Sequence, residues 1–152
     1  MLIFSLREDL MRIKQLLIGM IASVIAVSSY VEMAIADLKF PMLVYRTGAY
    51  APNGIPNADG FVDYYKMINA RDGGIGGEKI FHPECETGYK TQVGVECYEK
   101  NKKDAMVFQP MSTGITYQLI PKATADGVTI YSTGYGRTSA ANGKVFKWVF
   151  NA

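Results

Sequence analysis

The stretch KFPMLVYRTGAYAPNGIPNADGFVDYYKMI (Lys39–Ile68) contains the unit that decides the fold. Its apolar start, KFPMLVY, predicts a short buried strand. A segment rich in Gly, Pro and Asn follows and predicts a loop. Apolar side chains then recur at the spacing of one helix face, at Phe61, Tyr64, Tyr65 and Ile68. The stretch therefore predicts a strand, a loop and a helix over Ala58–Ala70, which Gly73 or Gly74 ends.

Further apolar runs predict four more strands, with two helical patterns between them. The strands are EKIFHPE (Glu78–Glu84), DAMVFQ (Asp104–Gln109), VTIYS (Val128–Ser132) and KVFKWVF (Lys144–Phe150). One helix covers Thr91–Lys102, with an inner face of Val93, Cys97 and Tyr98. The other ends at Gly127, with an inner face of Ile115, Leu119, Ile120 and Ala123. Pro121 lacks a backbone donor, so we expect it to kink or split this helix.

Strands that alternate with helices over short loops predict an α/β fold, an open parallel sheet with helices on both faces. Right-handed crossovers bring the carboxyl ends of all strands to one edge of the sheet. Three loops leave that edge: Arg46–Asn57, Pro110–Gly114 and Ser132–Gly143. Because ligands of open α/β sheets bind at this edge, we expect the functional site there.

The charge of the chain gives no support to a nucleic-acid partner. The formal net charge is +2, and the densest basic cluster, EKNKKD (Glu99–Asp104), is interleaved with acids. Domains that bind nucleic acid carry a basic patch or stripe. We interpret the cluster as a solvated helix end and expect no nucleic-acid partner.

Residues 1–36 have the layout of a secretory signal peptide. MRIK provides a basic start at Met11, an uncharged apolar core follows, and AIA places small residues before a cleavage point at Asp37. Met11 is the natural start, because two acids upstream do not suit a signal peptide. The alternative is a permanent membrane anchor, although the apolar core is shorter than the roughly 20 residues that a spanning helix needs. We expect export with cleavage of this segment and one mature domain, residues 37–152.

Cys85 and Cys97 are the two cysteines of the chain. In an oxidising compartment an even count predicts a disulfide, and the segment between these two contains a turn. A loop of this size stabilises by roughly 2–3 kcal/mol in the chain-entropy model. The alternative is a metal site that also uses His82 and Glu84, but the spacing matches no standard zinc pattern. We expect the disulfide and no metal.

The glycine-rich segments do not fit a nucleotide site. GGIGGEK (Gly73–Lys79) precedes a strand, whereas a dinucleotide fingerprint follows one. GYGRTS (Gly134–Ser139) follows a strand but lacks the third glycine, and GRTSAANGK (Gly136–Lys144) has the wrong spacing for a P-loop. We therefore expect no nucleotide and no cofactor.

The sequence also lacks a catalytic constellation. It has no G-x-S-x-G elbow, and its one histidine, His82, lies on a predicted strand with no serine nearby to activate. A lone histidine in this setting is more often structural. Four acids could pair, although their spacing does not require it: Asp59, Asp63, Glu84 and Glu86. We expect that the protein is not an enzyme.

The loops instead offer neutral hydrogen-bonding groups. Ser112 and Thr113 lie where a helix should start, next to the free N–H groups of its first turn. Such a helix N-terminus can hold a carboxylate. One of the two hydroxyls can equally cap its own helix, and the two roles are compatible. Tyr50, Asn53 and Tyr135 could supply an apolar wall with polar tips.

Three segments in register carry a family resemblance: TGAYAPNG (Thr47–Gly54), NARDGGIGG (Asn69–Gly77) and STGIT (Ser112–Thr116). With these segments, the chain resembles the amino-terminal part of a bacterial periplasmic substrate-binding protein of the branched-chain amino acid type, which serves ABC importers. The resemblance covers nearly all of Asp37–Ala152. It implies the first lobe of a type I clamshell, which closes on a small organic solute and is then recognised by a membrane permease.

The resemblance also implies where the solute binds. In relatives, hydroxyls and backbone N–H groups of the loops after strands three and four hold the ligand carboxylate. The matching positions are Ser112 and Thr113 in one loop and Gly134, Tyr135 and Gly136 in the next. Tyr50 and Asn53 fall on the first loop, which lines the cleft. YGRT is bulkier than the small-residue loop of the leucine-binding relatives, which argues against a plain branched-chain amino acid as the ligand. Amino acids, amides and aromatic acids are all bound by relatives, so the class of solute stays open.

Two other functions also stay open, an extracellular ligand-sensing domain of a receptor and an enzyme on a related α/β sheet. Relatives carry a complete second lobe after the first. We therefore expect the chain to be a truncated first lobe with about half of a cleft. Such a lobe would have little or no solute affinity, uncovered apolar surface and a tendency to self-associate.

Overall fold

The computed structural model describes residues 37–132 and 142–151. The strands are β1 (Leu38–Lys39), β2 (Met42–Val44), β3 (Ile80–Phe81), β4 (Glu84–Glu86), β5 (Val107–Phe108), β6 (Thr129–Ser132) and β7 (Val149–Asn151). The helices are α1 (Ala51–Arg71), α2 (Thr91–Asn101) and α3 (Thr113–Asp126). In these two ranges, no helix has both the length and the apolar character needed to cross a membrane. The predicted signal peptide, residues 1–36, lies outside the described residues.

Proline divides each of the first two strands of the sheet into two short pieces. Pro41 separates β1 from β2, and Pro83 separates β3 from β4. Proline has no N–H to donate to a ladder. The ladder nevertheless continues, because the N–H of Phe40 donates to the carbonyl of Phe81 (2.8 Å) and the N–H of Met42 donates to that of Pro83 (2.9 Å). The four pieces therefore act as two strands, β1–β2 and β3–β4.

All the strand pairs described in the sheet are parallel. The β1–β2 strand pairs with β3–β4 on one side. On its other side, bridges from Lys39 to Ala105 and from Met42 to Gln109 join it to the chain around β5. β6 then lies between β5 and β7. With the five strands numbered along the chain, their order across the sheet is 2-1-3-4-5. This is a doubly wound α/β order, and it confirms the predicted fold class.

Two hydrophobic cores cover the two faces of this sheet. Side chains alternate along β2, so Leu43 belongs to one core while Met42 and Val44 belong to the other. The first core contains the predicted inner residues of α2 and α3, which are Val93, Cys97, Tyr98, Ile115, Leu119, Ile120 and Ala123. The second contains Ala58 and Tyr65 of α1. Helices therefore lie on both faces.

The start and the inner face of α1 differ from the prediction. The helix begins at Ala51, so most of the predicted loop Arg46–Asn57 is its first turns. Pro52 lies in the first turn, where a helix needs no backbone donor, and therefore does not signal a loop. Phe61, Tyr65 and Ile68 pack into the second core as predicted, but Tyr64 is 56% exposed.

Two further details of the prediction are wrong, the split of α3 at Pro121 and the extent of the last strand. α3 runs through Pro121 without a break, and the proline lies on its exposed side, where the missing hydrogen bond does not leave a buried gap. β7 is shorter than the predicted Lys144–Phe150. The N–H groups of Val145 and Phe146 donate to the carbonyl of Asn142 at 3.0 and 2.8 Å. This turn occupies the first part of the predicted strand, so β7 begins only at Val149. The helix ends are as expected, with Gly73 and Gly127 at positive φ.

Candidate functional site

A hollow of about 530 Å³ lies at the carboxyl edge of the sheet, where the sequence predicts the functional site. It is lined by one residue from each of the loops that follow three strands, and by residues at the start of α1. The lining residues are Tyr45 after β2, Tyr89 after β4, Met111 after β5, and Tyr50, Asn53, Pro56 and Asn57 at the start of α1. Among them there is no charged side chain, so the hollow combines aromatic surface with neutral hydrogen-bonding groups.

Gly54 allows the first turn of α1 to lie directly on the end of β2. A Cβ at Gly54 would overlap both the carbonyl oxygen and the ring of Tyr45. Tyr50 precedes the helix as its N-cap, and its carbonyl accepts the N–H groups of Asn53 and Gly54, both at 3.0 Å. This close approach holds Tyr50 and Asn53 at the rim of the hollow.

The three tyrosine rings of the hollow are joined through Tyr89. The Tyr89 ring lies against both of the others, 4.8 Å from Tyr45 with the planes at 82° and 4.4 Å from Tyr50 with the planes at 34°. The first of these is an edge-to-face pair, which the quadrupoles of aromatic rings favour. Tyr45 is 5% exposed and Tyr50 is 53% exposed. The cluster therefore runs from the core to the open hollow.

Two lining residues have a backbone conformation that side chains rarely adopt. The φ angle is 63° at Tyr89 and 48° at Met111. Such residues persist only where the surroundings hold them, and they cluster at ligand-binding and catalytic sites. Hydrogen bonds hold the first of the two. The N–H of Tyr89 donates to Thr87 Oγ1 (3.2 Å), and that hydroxyl donates to the carbonyl of Val44 (2.8 Å).

Arg46, the residue after Tyr45, ties this edge of the sheet together. Its Nε and Nη2 donate to the Glu84 carboxylate at 2.6 and 2.9 Å, and its Nη1 donates to Asp59 at 2.7 Å. The hydrogen bonds to Glu84 and then to Asp59 raise the pKa of the Arg46 guanidinium above its ordinary value. The loop after β2 is thereby joined to β4 and to α1.

The carboxylate of Glu86 joins the two loops next to the hollow. It accepts the N–H groups of Arg46 and Gly88, both at 2.8 Å, and the hydroxyl of Thr47 at 3.0 Å. Burial raises the pKa of Glu86, but these hydrogen bonds favour the charged form more strongly, so the pKa lies below its ordinary value. Glu86 is therefore an ionised anchor for the loops that carry the tyrosines.

The predicted site residues fall into three groups. Tyr50 and Asn53 line the hollow. Ser112 and Thr113 start α3 directly after Met111, although neither is a lining residue. Gly134, Tyr135 and Gly136 lie outside the described residues.

Ser112 occupies the N-cap position of α3 without a capping hydrogen bond from its side chain. Its carbonyl accepts the N–H of Thr116 at 2.9 Å, and the residue is 3% exposed. Thr113 is the first helical residue and is half-buried. The sequence leaves two roles open for these hydroxyls, capping the helix and binding a ligand. The structure does not show the Ser112 side chain capping the helix.

The structure joins Cys85 and Cys97 in a disulfide, with the Cα atoms 5.9 Å apart. The bond links β4 to α2 and uses both sulfurs, so the alternative metal site loses two of its four ligands. His82 packs its ring against Tyr65, with the centroids 5.5 Å apart. Over residues 37–132 and 142–151, no group of three or more His, Cys, Asp or Glu side chains could hold a metal ion.

Sequence reasoning does not find Tyr45, Tyr89 and Met111 as lining residues. Positive φ at Tyr89 and Met111 leaves no signal in the sequence, because such residue types rarely adopt it. A signal does exist for the Arg46 anchor. Glu84 and Glu86 are two residues apart on a strand, so they share one face and can accept hydrogen bonds from a residue at the end of the neighbouring strand.

Comparison with known proteins gives a family and a set of similar folds. The model of the family described as "Periplasmic binding protein" matches residues 37–152. The comparison with curated proteins returned no match. Among solved structures, one described as an ABC transporter permease from the Pseudomonas fluorescens group has 39% sequence identity and a TM-score of 0.69. The match covers 75% of this chain and 29% of that one.

Two more distant structures share the fold. The branched-chain amino acid transporter substrate-binding protein LivJ from Streptococcus pneumoniae, in complex with isoleucine, has 20% identity and a TM-score of 0.67 over 76% of this chain and 33% of that one. An ABC transporter solute-binding protein from R. palustris, in complex with benzoate, has 20% identity and a TM-score of 0.62 over 76% and 32%. The chain thus spans about a third or less of the length of these relatives.

Proposed function

Because this chain belongs to the periplasmic binding protein family, we propose that it forms one wall of the cleft in the solute-binding component of an ABC importer. The hollow at the carboxyl edge is the observation that carries the proposal. It lies where ligands of open α/β sheets bind, and three strands and one helix converge on it. Its lining of tyrosines and asparagines suits a small organic solute, since such pockets combine apolar surface with a few polar groups.

The start of α3 supplies the polar end of this site. Ser112 and Thr113 follow the lining residue Met111, and the N–H groups of the first helical turn are directed out of the helix there. The positive end of the helix dipole favours a carboxylate at this position. The solute is therefore a small acid, amino acid or amide whose acceptor oxygens lie at the start of α3. Gly134, Tyr135 and Gly136 belong to the same proposal as carboxylate-binding residues of the next loop.

The same proposal covers the location and the partner of the protein. Residues 1–36 direct export and are removed before Asp37, so the solute is captured in the periplasm. The liganded form is presented to a membrane permease, and the protein binds its solute without chemical turnover. Sequencing the amino terminus of the exported protein tests the first point: it should begin at Asp37, and a mature chain that keeps Met11 contradicts it.

The proposed function is tested by measuring whether the protein binds a solute and leaves it chemically unchanged. The full-length protein, with whatever residues follow Ala152 in its gene, is titrated by calorimetry with amino acids, amides and aromatic acids. Each mixture is then analysed by mass spectrometry. Saturable binding of one class with the solute recovered intact supports the proposal. Chemical conversion of the solute assigns an enzyme instead, and an absence of saturable binding across the panel overturns the proposal.

A further inference from the structure

The rim of the hollow presents an aromatic surface that is only partly covered. Tyr50 is 53% exposed, in contrast to Tyr45 at 5%. One side of the Tyr50 ring is supported by Tyr89, 4.4 Å away between centroids, and Tyr89 is in turn supported edge-on by Tyr45 at 4.8 Å. The Tyr50 ring is therefore packed on one side against Tyr89, while another part of it is exposed.

The loop that supports this surface is held in position before any ligand arrives. Tyr89 stands at a φ of 63°, where side chains rarely occur. Two hydrogen bonds through the Thr87 hydroxyl attach it to the end of β2, and Glu86 binds the N–H of the intervening Gly88 at 2.8 Å. A conformation that costs free energy is thus maintained by local contacts at the point where the tyrosines meet. Rigid placement of an aromatic ring lowers the entropy cost of binding against it.

The rest of the lining matches a flat, uncharged ring better than an aliphatic amino acid. Asn53 and Asn57 can bond polar atoms on the edge of a ring, and Pro56 and Met111 add apolar surface. Aromatic rings also prefer offset or edge-to-face contact with another ring, which a branched aliphatic chain cannot provide.

We propose that Tyr50, supported by Tyr89, is the ring-binding subsite of the cleft and selects small planar aromatic acids over aliphatic ones. The inference rests on the proposed solute-binding function and adds the class of solute. It assigns the ring to the tyrosine surface and leaves the acid group to the start of α3. Tyr50 and Tyr89 are then the residues that determine specificity.

A matched pair of ligands tests the subsite. Benzoate and cyclohexanecarboxylate have the same carboxylate and the same number of ring atoms, but only benzoate is planar and aromatic. Calorimetry on the full-length protein should give an affinity for benzoate that is at least about tenfold higher, which is about 1.4 kcal/mol. Tyr50→Leu should remove most of this preference by weakening benzoate binding, while cyclohexanecarboxylate binding changes little. Tyr89→Leu, which removes the support, should act in the same direction.

Tyr64→Leu is the control, because Tyr64 lies on α1, the helix that Tyr50 precedes, is 56% exposed and does not line this hollow. It should leave the preference intact, and circular dichroism checks that each variant is folded. Equal affinity for the two acids, or tighter binding of leucine or isoleucine than of benzoate, overturns the subsite while the solute-binding function stands. A preference that survives both Tyr50→Leu and Tyr89→Leu also overturns it. Failure of every solute to bind removes the proposed function, and the subsite with it.

Discussion

Arg46 Nε lies 2.6 Å from Glu84 Oε2, which fastens the loop after β2 to the neighbouring strand. The same guanidinium reaches Asp59 on α1 at 2.7 Å. Arg46 follows Tyr45 directly, so the ion pairs fix the chain where it enters the hollow. The geometry of the site therefore depends on contacts between residues that are far apart in the sequence.

Replacing Arg46 by Met should destabilise the protein by about 1–2 kcal/mol. The change keeps an aliphatic stem but leaves Glu84 and Asp59 without their cation. This magnitude is that of hydrogen bonds to charged groups, reduced for partial exposure, since the Arg46 side chain is 29% exposed. Urea unfolding provides the measurement. Arg71→Met is the control, because its pair with Asp72 is on the surface, and an equal loss in both variants would contradict a special role for Arg46.

Two glycines in helices should respond to alanine in opposite ways. A Cβ at Gly94 of α2 would lie 2.6–2.7 Å from three side-chain atoms of Ile115, a fully buried residue of α3. Gly94→Ala should therefore cost about 1–2 kcal/mol, because overpacking outweighs the gain in helix propensity. Apart from its chain neighbours and the adjacent helix backbone, a Cβ at Gly60 of α1 would have no atom within 4 Å, so Gly60→Ala should stabilise by about 0.5–1 kcal/mol.

Thermal and urea unfolding of the two variants measure these changes in stability. Both substitutions add the same methyl group to a helix interior, so the difference between them isolates the packing of α2 on α3. Stabilisation by Gly94→Ala as well as by Gly60→Ala would show that Ile115 moves aside without cost.

Hydrophobic periodicity predicts α2 and α3 well, because their inner faces are regular and pack on one side of the sheet. It fails at the start of α1, where Pro52, Gly54 and Pro56 signal a loop. There Gly54 packs directly on Tyr45, and a helix accepts a proline in its first turn, so the segment is helical. Topology alone predicts the edge of the sheet at which the hollow lies. It does not predict Tyr89 or Met111, whose positive φ depends on tertiary contacts.

The stability of the protein should fall in acid partly through Glu86. Its folded-state pKa lies below the ordinary glutamate value, so Glu86 stabilises the fold above about pH 4.3, its usual unfolded value. That contribution is lost as the pH falls through the lower, folded-state pKa. Glu86→Gln should be less stable than the wild type at pH 7 and should lose less stability on acidification.

The measurement for Glu86 is the urea midpoint of both proteins from pH 7 down to the acid limit of folding. Other carboxylates contribute to the acid loss in both proteins, so the comparison is between the two slopes. Parallel curves for wild type and Glu86→Gln would mean that the hydrogen bonds from Arg46, Thr47 and Gly88 do not favour the ionised form.

A carboxylate site at the start of α3 predicts a defined loss from Thr113→Val. Valine keeps the shape of Thr113 but deletes its hydroxyl, so affinity for an acid solute should fall by about 1.5–3 kcal/mol, the range for a hydrogen bond to a charged group. Calorimetry on the full-length protein measures it. Thr124→Val is the control on the same helix, because that exposed hydroxyl donates to the carbonyl of Ile120 at 2.7 Å. Unchanged affinity in Thr113→Val would move the carboxylate site elsewhere.

Residues 37–152 by themselves should bind solutes only in the millimolar range or more weakly. The matched region covers 29% of the Pseudomonas structure and 33% of the LivJ structure, so under the proposed function it supplies only one wall of a larger cleft. Pockets that bind small molecules well enclose most of the ligand surface, whereas Tyr50 at the rim of this hollow is 53% exposed. Ligand-observed NMR on the purified segment, across the same panel of amino acids, amides and aromatic acids, provides the measurement. The segment should still fold, because the pairs of its sheet and both cores are internal to it. A micromolar solute for residues 37–152 alone would show that one wall suffices, and the two-walled cleft would then be the wrong description of this site.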